Sequence, residues 1–392
     1  MDAARFGVYV HFPYCLSKCP YCDFASIVAR QIPEARYAEA IARELELRIA
    51  AVPSLAGRAV ESVYFGGGTP SLWDPTHVRR VLDLLRARLW IVPDAEVTLE
   101  ANPGAADAER FAGYRAAGIN RLSIGVQSFQ PATLAFLGRS HDGAMAERAY
   151  AAARAAGFDN VSLDFIYGVP GQTLDQVRED AVRATGLGAD HLSAYALTLD
   201  RESLAEEVPL ARRLARGEVT LPPDEEVLQM QRTVRDVYRA AGLLRYEISN
   251  YARPGRHSRH NAAYWTGGEY LALGTGATGF ILEPEGTGGV RYANHRSAER
   301  YLVQVEQDSL PVASVETLTA RELFSERVAM GLRLSTGIDL QATCRAFGED
   351  YAPRAKVVEA LVTGGLAVQD GPRLLLTDRG ADVHSAISAR LM

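Results

Sequence analysis

Short apolar runs alternate with longer helical patterns through the first half of the chain. Phe6 to Phe12, Ser62 to Phe65, Glu96 to Glu100, Arg121 to Val126, Val161 to Tyr167 and His191 to Thr198 read as strands, and nearly every interval between them has helical spacing. Glu34 to Ala51 reads as one of these helices, with charges interspersed among Ala, Ile and Leu. Another is expected to begin at Asp74 as a cap, with Pro75 in its first turn, and to run to about Trp90. Six strands alternating with helices predict an α/β fold of parallel strands with right-handed crossovers, either doubly wound or bent into a barrel. In both arrangements function gathers in the loops after the carboxyl ends of the strands.

After the sixth strand the pattern changes. Leu221 to Ala241 reads as a helix entered through Pro222 and Pro223, and Arg245 to Ser249 as a strand. Residues 283–290, rich in Gly and Pro, read as an exposed turn. From about Thr317 a separate unit begins, with helical patterns over Thr319 to Leu334, Leu340 to Phe347 and Arg354 to Thr363. A hairpin of Leu366 to Gln369 and Arg373 to Leu376 follows, then a last helix. Helices followed by a short hairpin predict a winged-helix-like module.

Composition narrows the function classes. The 392 residues are 47% hydrophobic and 23% charged, ordinary for a globular protein with a large core. A net charge of −6 and a pI near 5.8 give no basic footprint, so nucleic acid is not the expected partner. Met1 to Tyr14 lacks the pattern of a secretory signal, and no run of about 18 apolar residues occurs. A cytoplasmic protein is expected, with membrane contact at most peripheral, in a compartment where thiols stay reduced.

The candidate chemistry begins at Tyr9 to Phe24, Y-V-H-F-P-Y-C-L-S-K-C-P-Y-C-D-F, which places Cys15, Cys19 and Cys22 within eight residues. The only other cysteine, Cys344, reads as a buried structural thiol. Three close thiols suit a metal better than disulfides. They can hold three corners of a [4Fe-4S] cube and leave the fourth iron open to a small chelating molecule. A zinc site made by the three cysteines and His11 is the alternative on local spacing.

The same stretch resembles the signature of radical S-adenosylmethionine (SAM) proteins, and its flanks are similar to the HemN/HemW family. The resemblance implies a partial (β/α)6 barrel in which Cys15, Cys19 and Cys22 bind the cluster. SAM would chelate the open iron and be cleaved by one electron to a deoxyadenosyl radical. By the same resemblance Tyr9 and Tyr21 sit against SAM. The motif Gly66-Gly67-Gly68-Thr69-Pro70 is by itself only a turn that allows close approach, but in the family Gly67, Gly68 and Thr69 contact the amino end of SAM. L-E-A-N-P, I-G-V-Q-S-F, L-G-R-S-H and L-D-F-I-Y-G-V-P-G-Q-T each look like a family motif, in the family's order. They imply that Glu100 binds the SAM amino group or ribose, and that Gln127, Arg139 and Asp164 line the surrounding cavity.

A second mark is His260-Asn261-Ala262-Ala263-Tyr264-Trp265, which resembles a haem-associated H-N-x-x-Y-W motif of the family. Imidazole can ligate haem iron and aromatic rings can pack on the macrocycle, so His260, Tyr264 and Trp265 are candidate haem contacts; a loop whose Tyr and Trp complete a core is the plainer reading. Two departures stand out: Ser258 where relatives often have Cys, and Thr278 within G-A-T-G where they have His. The implied organisation is a barrel over 1–250, a connecting region with the motif over 251–316 and a HemN-type C-terminal domain over 317–392. Phe24 stands where dehydrogenase members carry a further cysteine, and Cys15 lies close to the first residue. Both point to the haem-chaperone branch, which binds haem and delivers it to acceptor proteins. The alternative is an enzyme: oxygen-independent coproporphyrinogen III decarboxylation, or HemN-like methyl transfer. Radical chemistry would need an electron donor such as flavodoxin or ferredoxin.

Overall fold

The computed structural model describes residues 6–104, 108–199, 208–283 and 286–392. Six strands, β1 (Phe6–Phe12), β2 (Ala59–Gly67), β3 (Trp90–Ala101), β4 (Arg121–Gln127), β5 (Val161–Tyr167) and β6 (His191–Ala196), lie side by side and parallel in chain order. The crossovers carry α1 (Glu34–Ala51), α2 (Pro75–Arg88), α3 (Ala108–Ala117), α4 (Pro131–Phe136), α5 (Gly143–Ala155) and α6 (Leu174–Gly186). Asp74 caps α2, accepting a hydrogen bond from the Thr76 amide at 2.8 Å. This is the partial (β/α)6 barrel.

Strand alternation decides what faces inward. In β4, Leu122, Ile124 and Val126 are fully buried in the hydrophobic core, while Arg121, Ser123, Gly125 and Gln127 line the cavity of the barrel. In β1, Val8, Val10 and Phe12 enter the core, leaving Tyr9 and His11 on the opposite face. The expected strands over Ser62 to Phe65 and Glu96 to Glu100 are each longer, at Ala59–Gly67 and Trp90–Ala101. Pairing with neighbours extends them beyond their apolar runs.

The sheet does not stop at six strands. Helices α7 (Pro209–Ala215) and α8 (Asp224–Ala240) lead to β7 (Leu244–Glu247) and β8 (Asn250–Ala252), with β8 antiparallel to β6. The expected strand over Arg245 to Ser249 divides there because the Glu247 carboxylate accepts from the Ser249 amide at 2.9 Å and from the Asn250 side chain, holding a turn. After α9 (Arg259–Trp265), β9 (Glu269–Leu273) pairs parallel with the free side of β1. The sheet then continues antiparallel through β10 (Thr278–Leu282), β11 (Gly289–Asn294) and β12 (Val312–Leu318), with α10 (Ala298–Glu306) packed on α1. Residues 284 and 285 of the expected turn lie outside the described residues; Gly289 and Val290, assigned to it, instead start β11, paired with Leu282 and Ile281.

A buried polar joint fixes this extension to the barrel. Glu44 of α1 is fully buried and accepts from Arg48, from Asn294 Nδ2 at 2.7 Å, from the Gly274 amide at 2.8 Å and from the Tyr301 hydroxyl at 2.8 Å. The last unit comprises α11 (Ala320–Gly331), α12 (Leu340–Phe347), α13 (Ala352–Thr363), the hairpin β13 (Ala367–Asp370) and β14 (Arg373–Leu376), α14 (Asp378–Ala381) and α15 (His384–Leu391). Phe324, Val328, Leu332, Leu361 and Leu391 form its core, with Cys344 buried among them. Thr317 and Leu318, expected in this unit, complete the edge strand β12. Among the described residues no helix is long and apolar enough to cross a membrane.

Candidate metal centre

The cysteine loop rests on an aromatic base at the end of β1. Phe12 stacks on Trp73 with ring centroids 4.9 Å apart, and Tyr37 meets both edge-on. The Tyr37 hydroxyl donates to the His11 carbonyl at 2.7 Å. The far end of the loop is tied by His11 itself, whose Nε2 donates to the Ala25 carbonyl at 2.9 Å while Nδ1 accepts from the Tyr9 hydroxyl at 3.0 Å. Burial lowers the His11 pKa to about 4, so the ring is neutral near neutral pH. Both nitrogens are engaged within the protein, which removes His11 as the fourth ligand of a zinc site; its work is to close the loop. Among the described residues no three His, Cys, Asp or Glu side chains converge on a single ion position.

Side chains donate hydrogen bonds to the sulfurs of Cys15 and Cys19. Thr69 Oγ1 donates to Cys15 Sγ at 3.4 Å, and Asn102 Nδ2 donates to Thr69 Oγ1 at 3.1 Å. Arg139 Nη2 donates to Asn102 Oδ1 at 2.6 Å and to the Gly125 carbonyl at 2.9 Å, while its Nη1 reaches Cys19 Sγ at 3.5 Å. The chain Cys15–Thr69–Asn102–Arg139–Cys19 thus joins four loops, and it suits thiolate ligands, which accept such bonds better than neutral thiols do. Burial raises the thiol pKa of both Cys15 and Cys22, so their thiolates need a metal to form.

The glycine motif also has a packing reason of its own. A Cβ on Gly68 would lie 2.7 Å from the Pro13 carbonyl carbon, and Gly67, at φ +113°, has the His11 ring where its Cβ would be. These two glycines let β2 pass against the start of the cysteine loop. The Gly68 amide donates to the Phe12 carbonyl at 2.7 Å and the Thr69 amide to the Tyr14 carbonyl at 3.0 Å.

These parts surround one cavity of about 420 Å³. Cys15, Cys19 and Cys22 line it, together with Tyr21, Gly67, Gly68, Thr69, Glu100, Gln127, Arg139 and Asp164. Glu100 accepts from the Tyr64 hydroxyl at 2.7 Å and from the Gly67 amide at 3.1 Å. Burial lifts its pKa to about 7, with the Asp164 charge adding to the rise and the two hydrogen bonds opposing it. Asp164 accepts from Ser123 at 2.7 Å and Ser162 at 3.0 Å. Gln127 has φ 66°, a left-handed backbone that costs a non-glycine residue about 1 kcal/mol. The register slips at this position between Gly125 and Gln127, which turns the side chain into the cavity.

Four candidate residues lie elsewhere. Tyr9 does not line the cavity: its hydroxyl bonds His11 and its ring stacks on Tyr64 and His260 with centroids 6.1 and 6.4 Å away. His260 is 2% exposed, its Nδ1 paired with Ser62 Oγ at 2.9 Å and its Nε2 with the Tyr264 hydroxyl at 3.1 Å. Burial lowers its pKa to about 3. With both ring nitrogens occupied inside the protein, His260 is not presented to haem. Tyr264 and Trp265 instead line a separate pocket of about 240 Å³ with Tyr270, Phe280, Leu323 and Met330, between the sheet and α11. The Trp265 Nε1 is buried there without a partner. Ser258 caps α9, accepting from the Asn261 amide at 3.3 Å and donating to Glu96 at 3.3 Å. Thr278 lines a third pocket, beside Tyr9 and Tyr264.

Sequence reasoning missed His11 as a clamp, Asn102 as the link between Thr69 and Arg139, and Arg121 and Asn261 in the cavity wall. Asn102 carried a signal, since it follows Glu100 by two residues and so continues the same face of the strand. Asn261 carried a signal only as part of the H-N-x-x-Y-W motif, and it is the placement of α9 across the barrel that brings it to this cavity.

A family model described as the radical SAM superfamily matches residues 9–184, and one described as the HemN C-terminal domain matches residues 318–383. The heme chaperone HemW of Mycobacterium tuberculosis is 39% identical over the whole chain and 96% of that protein. HemW of Bacillus subtilis is 30% identical over 95% of the chain and 96% of its own length. The mouse mitochondrial radical S-adenosyl methionine domain-containing protein 1 is 37% identical over the whole chain and 88% of its length. The solved structure of coproporphyrinogen III oxidase (HemN) from Escherichia coli superposes with a TM-score of 0.81 over 99% of the chain and 90% of its own, at 24% identity.

Proposed function

The chain belongs to the radical SAM superfamily and, within it, to the HemN/HemW family, and on that premise we propose that it is a haem chaperone, holding a [4Fe-4S] cluster and SAM in the barrel and passing haem to an acceptor protein. The observation that carries this reading is the separation of two sites: the cysteines and SAM-motif residues share one cavity, while Tyr264 and Trp265 line another. Cys15, Cys19 and Cys22 would hold the cluster. When bound, a cluster with an open iron supplies an electron to the sulfonium of SAM.

The protein's own residues set the conditions. Thr69 and Arg139 donate to the sulfurs of Cys15 and Cys19, and hydrogen bonds of this kind tune a cluster's potential. Glu100 offers a carboxylate to a cationic amino group, and it is poised to change protonation near neutrality. His11 keeps the loop closed over the cavity. At about 420 Å³ the cavity has the size of a cofactor site, which supports SAM binding there.

Haem would lie against Trp265 and Tyr264, with Tyr270, Phe280 and Met330 as apolar and sulfur contacts. The orphaned indole N–H of Trp265 supports a polar ligand group there. Reduced thiols favour the cytoplasm as the place of work, with flavodoxin or ferredoxin as the class of electron donor if SAM is cleaved. The test is haem titration of anaerobically reconstituted protein, followed by Soret absorbance. Trp265→Ala is expected to weaken haem binding about tenfold, the loss of one buried aromatic contact, with the cluster retained; unchanged binding would move haem elsewhere. Conversion of coproporphyrinogen III to protoporphyrinogen would overturn the chaperone reading.

A further inference from the structure

The cavity continues below the SAM motifs toward the amino ends of the strands, where one buried guanidinium lacks hydrogen bonds. Arg121, the first residue of β4, is 2% exposed and lines the cavity, and its Nε is buried without a hydrogen bond. Among the described residues no ion pair or hydrogen bond holds its guanidinium. Burial opposes its charge, but Glu96, and Asp164 more weakly, attract that charge and hold its pKa up, while the hydrogen bonds of both carboxylates go elsewhere. Glu96 accepts from Ser258 Oγ at 3.3 Å and from the amides of Arg259 at 2.9 Å and His260 at 3.1 Å, while Asp164 accepts from Ser123 and Ser162. Asn261 on α9 and Ser193 on β6 line the same cavity.

A buried guanidinium without hydrogen bonds is unfavourable unless a ligand completes it. We propose that this floor is a second ligand subsite, distinct from that of SAM, where Arg121 with Asn261 and Ser193 beside it takes the carboxylate of a small organic acid. The planar fork of arginine suits a carboxylate bidentately. A monoanion fits better than a phosphate dianion, since the carboxylates of Asp164 and Glu100 line the same cavity. The inference rests on the reading that SAM occupies the upper part.

The test is thermal unfolding of the reconstituted full chain with propionate as probe, propionamide as neutral control and sodium chloride matching ionic strength, each with and without saturating SAM. Propionate at ten times its dissociation constant is expected to raise Tm of the wild type by about 2 °C in both conditions, and propionamide to do nothing. Arg121→Met abolishes the shift and Arg121→Lys reduces it; the Lys variant decides the matter if the Met variant fails to assemble its cluster. An equal shift in the variants, or none in the wild type, overturns the proposal. A shift that disappears when SAM is present also overturns it, since Arg121 would then hold the carboxylate of SAM itself. The Tm response to SAM alone is read in the same experiment, and its absence would count against the function proposed above, separately from the outcome with propionate.

Discussion

The polar side chains at the carboxyl end of the barrel and the histidines at its amino end are treated in opposite ways. At the carboxyl end, Thr69, Asn102 and Arg139 direct hydrogen bonds to cysteine sulfurs, and Glu100 and Gln127 border open space. At the amino end, His260 and His191 are sealed: His260 between Ser62 and Tyr264, His191 between Ser162 and the Tyr246 hydroxyl, each at 2.8 to 3.1 Å. The first set of side chains opens onto the cavity; the two histidines of the second are satisfied entirely by protein. A polar residue in a motif is therefore a stronger candidate ligand where the fold leaves it bordering open space than where packing seals it.

The largest expected effect is at the open end. Cys19→Ala abolishes the visible absorbance of the cluster after anaerobic reconstitution, since two thiols cannot hold the cube; a full cluster in this variant would contradict the ligand set. At the sealed end, His260→Ala is expected to cost about 3 kcal/mol in denaturant unfolding, because it leaves a cavity and two unpaired hydroxyls, while cluster absorbance per folded protein is unchanged. A stable variant that had lost haem alone would show that His260 leaves its pocket to bind iron.

Glu100 sharpens the contrast through pH. Its folded pKa of about 7 lies above the ordinary carboxyl value, so the carboxylate is the minority form at pH 6 and the majority form at pH 8. Attraction to the cationic groups of SAM is expected to strengthen as pH rises, by roughly tenfold across that interval. Stability moves the other way: the folded protein binds this proton more tightly than the unfolded chain, so the group's contribution declines as pH rises from its ordinary value through 7. Glu100→Gln flattens the Glu100 contribution to SAM affinity, measured by isothermal titration; an unaltered pH profile would remove Glu100 from that role. The smallest effect is at Gln127, where Gln127→Gly relieves left-handed backbone and stabilises by about 1 kcal/mol while weakening SAM binding. Loss of stability there would show that the side chain is part of the fold.

Much of the open end was legible in the chain because its parts are local. Three cysteines on one loop need no tertiary information to be recognised together, and strand periodicity places Glu100, Asp164 and Gln127 near carboxyl ends. The helices α1 and α12 match their apolar periodicity from end to end. Orientation was not legible. The apolar pattern of β1 is satisfied with Tyr9 inward, yet only the packing of α9 beneath it sets its ring against His260 rather than the cofactor cavity. The strands β9 to β12 were hidden for a similar reason. They are short, interrupted by glycines, and become strands by extending a sheet whose edge at β1 lies far away in sequence.

The most direct test of the central claim is electron–nuclear double resonance on the reduced, reconstituted protein with SAM labelled at its amino nitrogen and carboxylate. Hyperfine coupling from both labels to the cluster is expected, because Cys15, Cys19 and Cys22 leave one iron free. A cube whose spectrum is unchanged by SAM, or one ligated by protein at all four corners, would contradict the account.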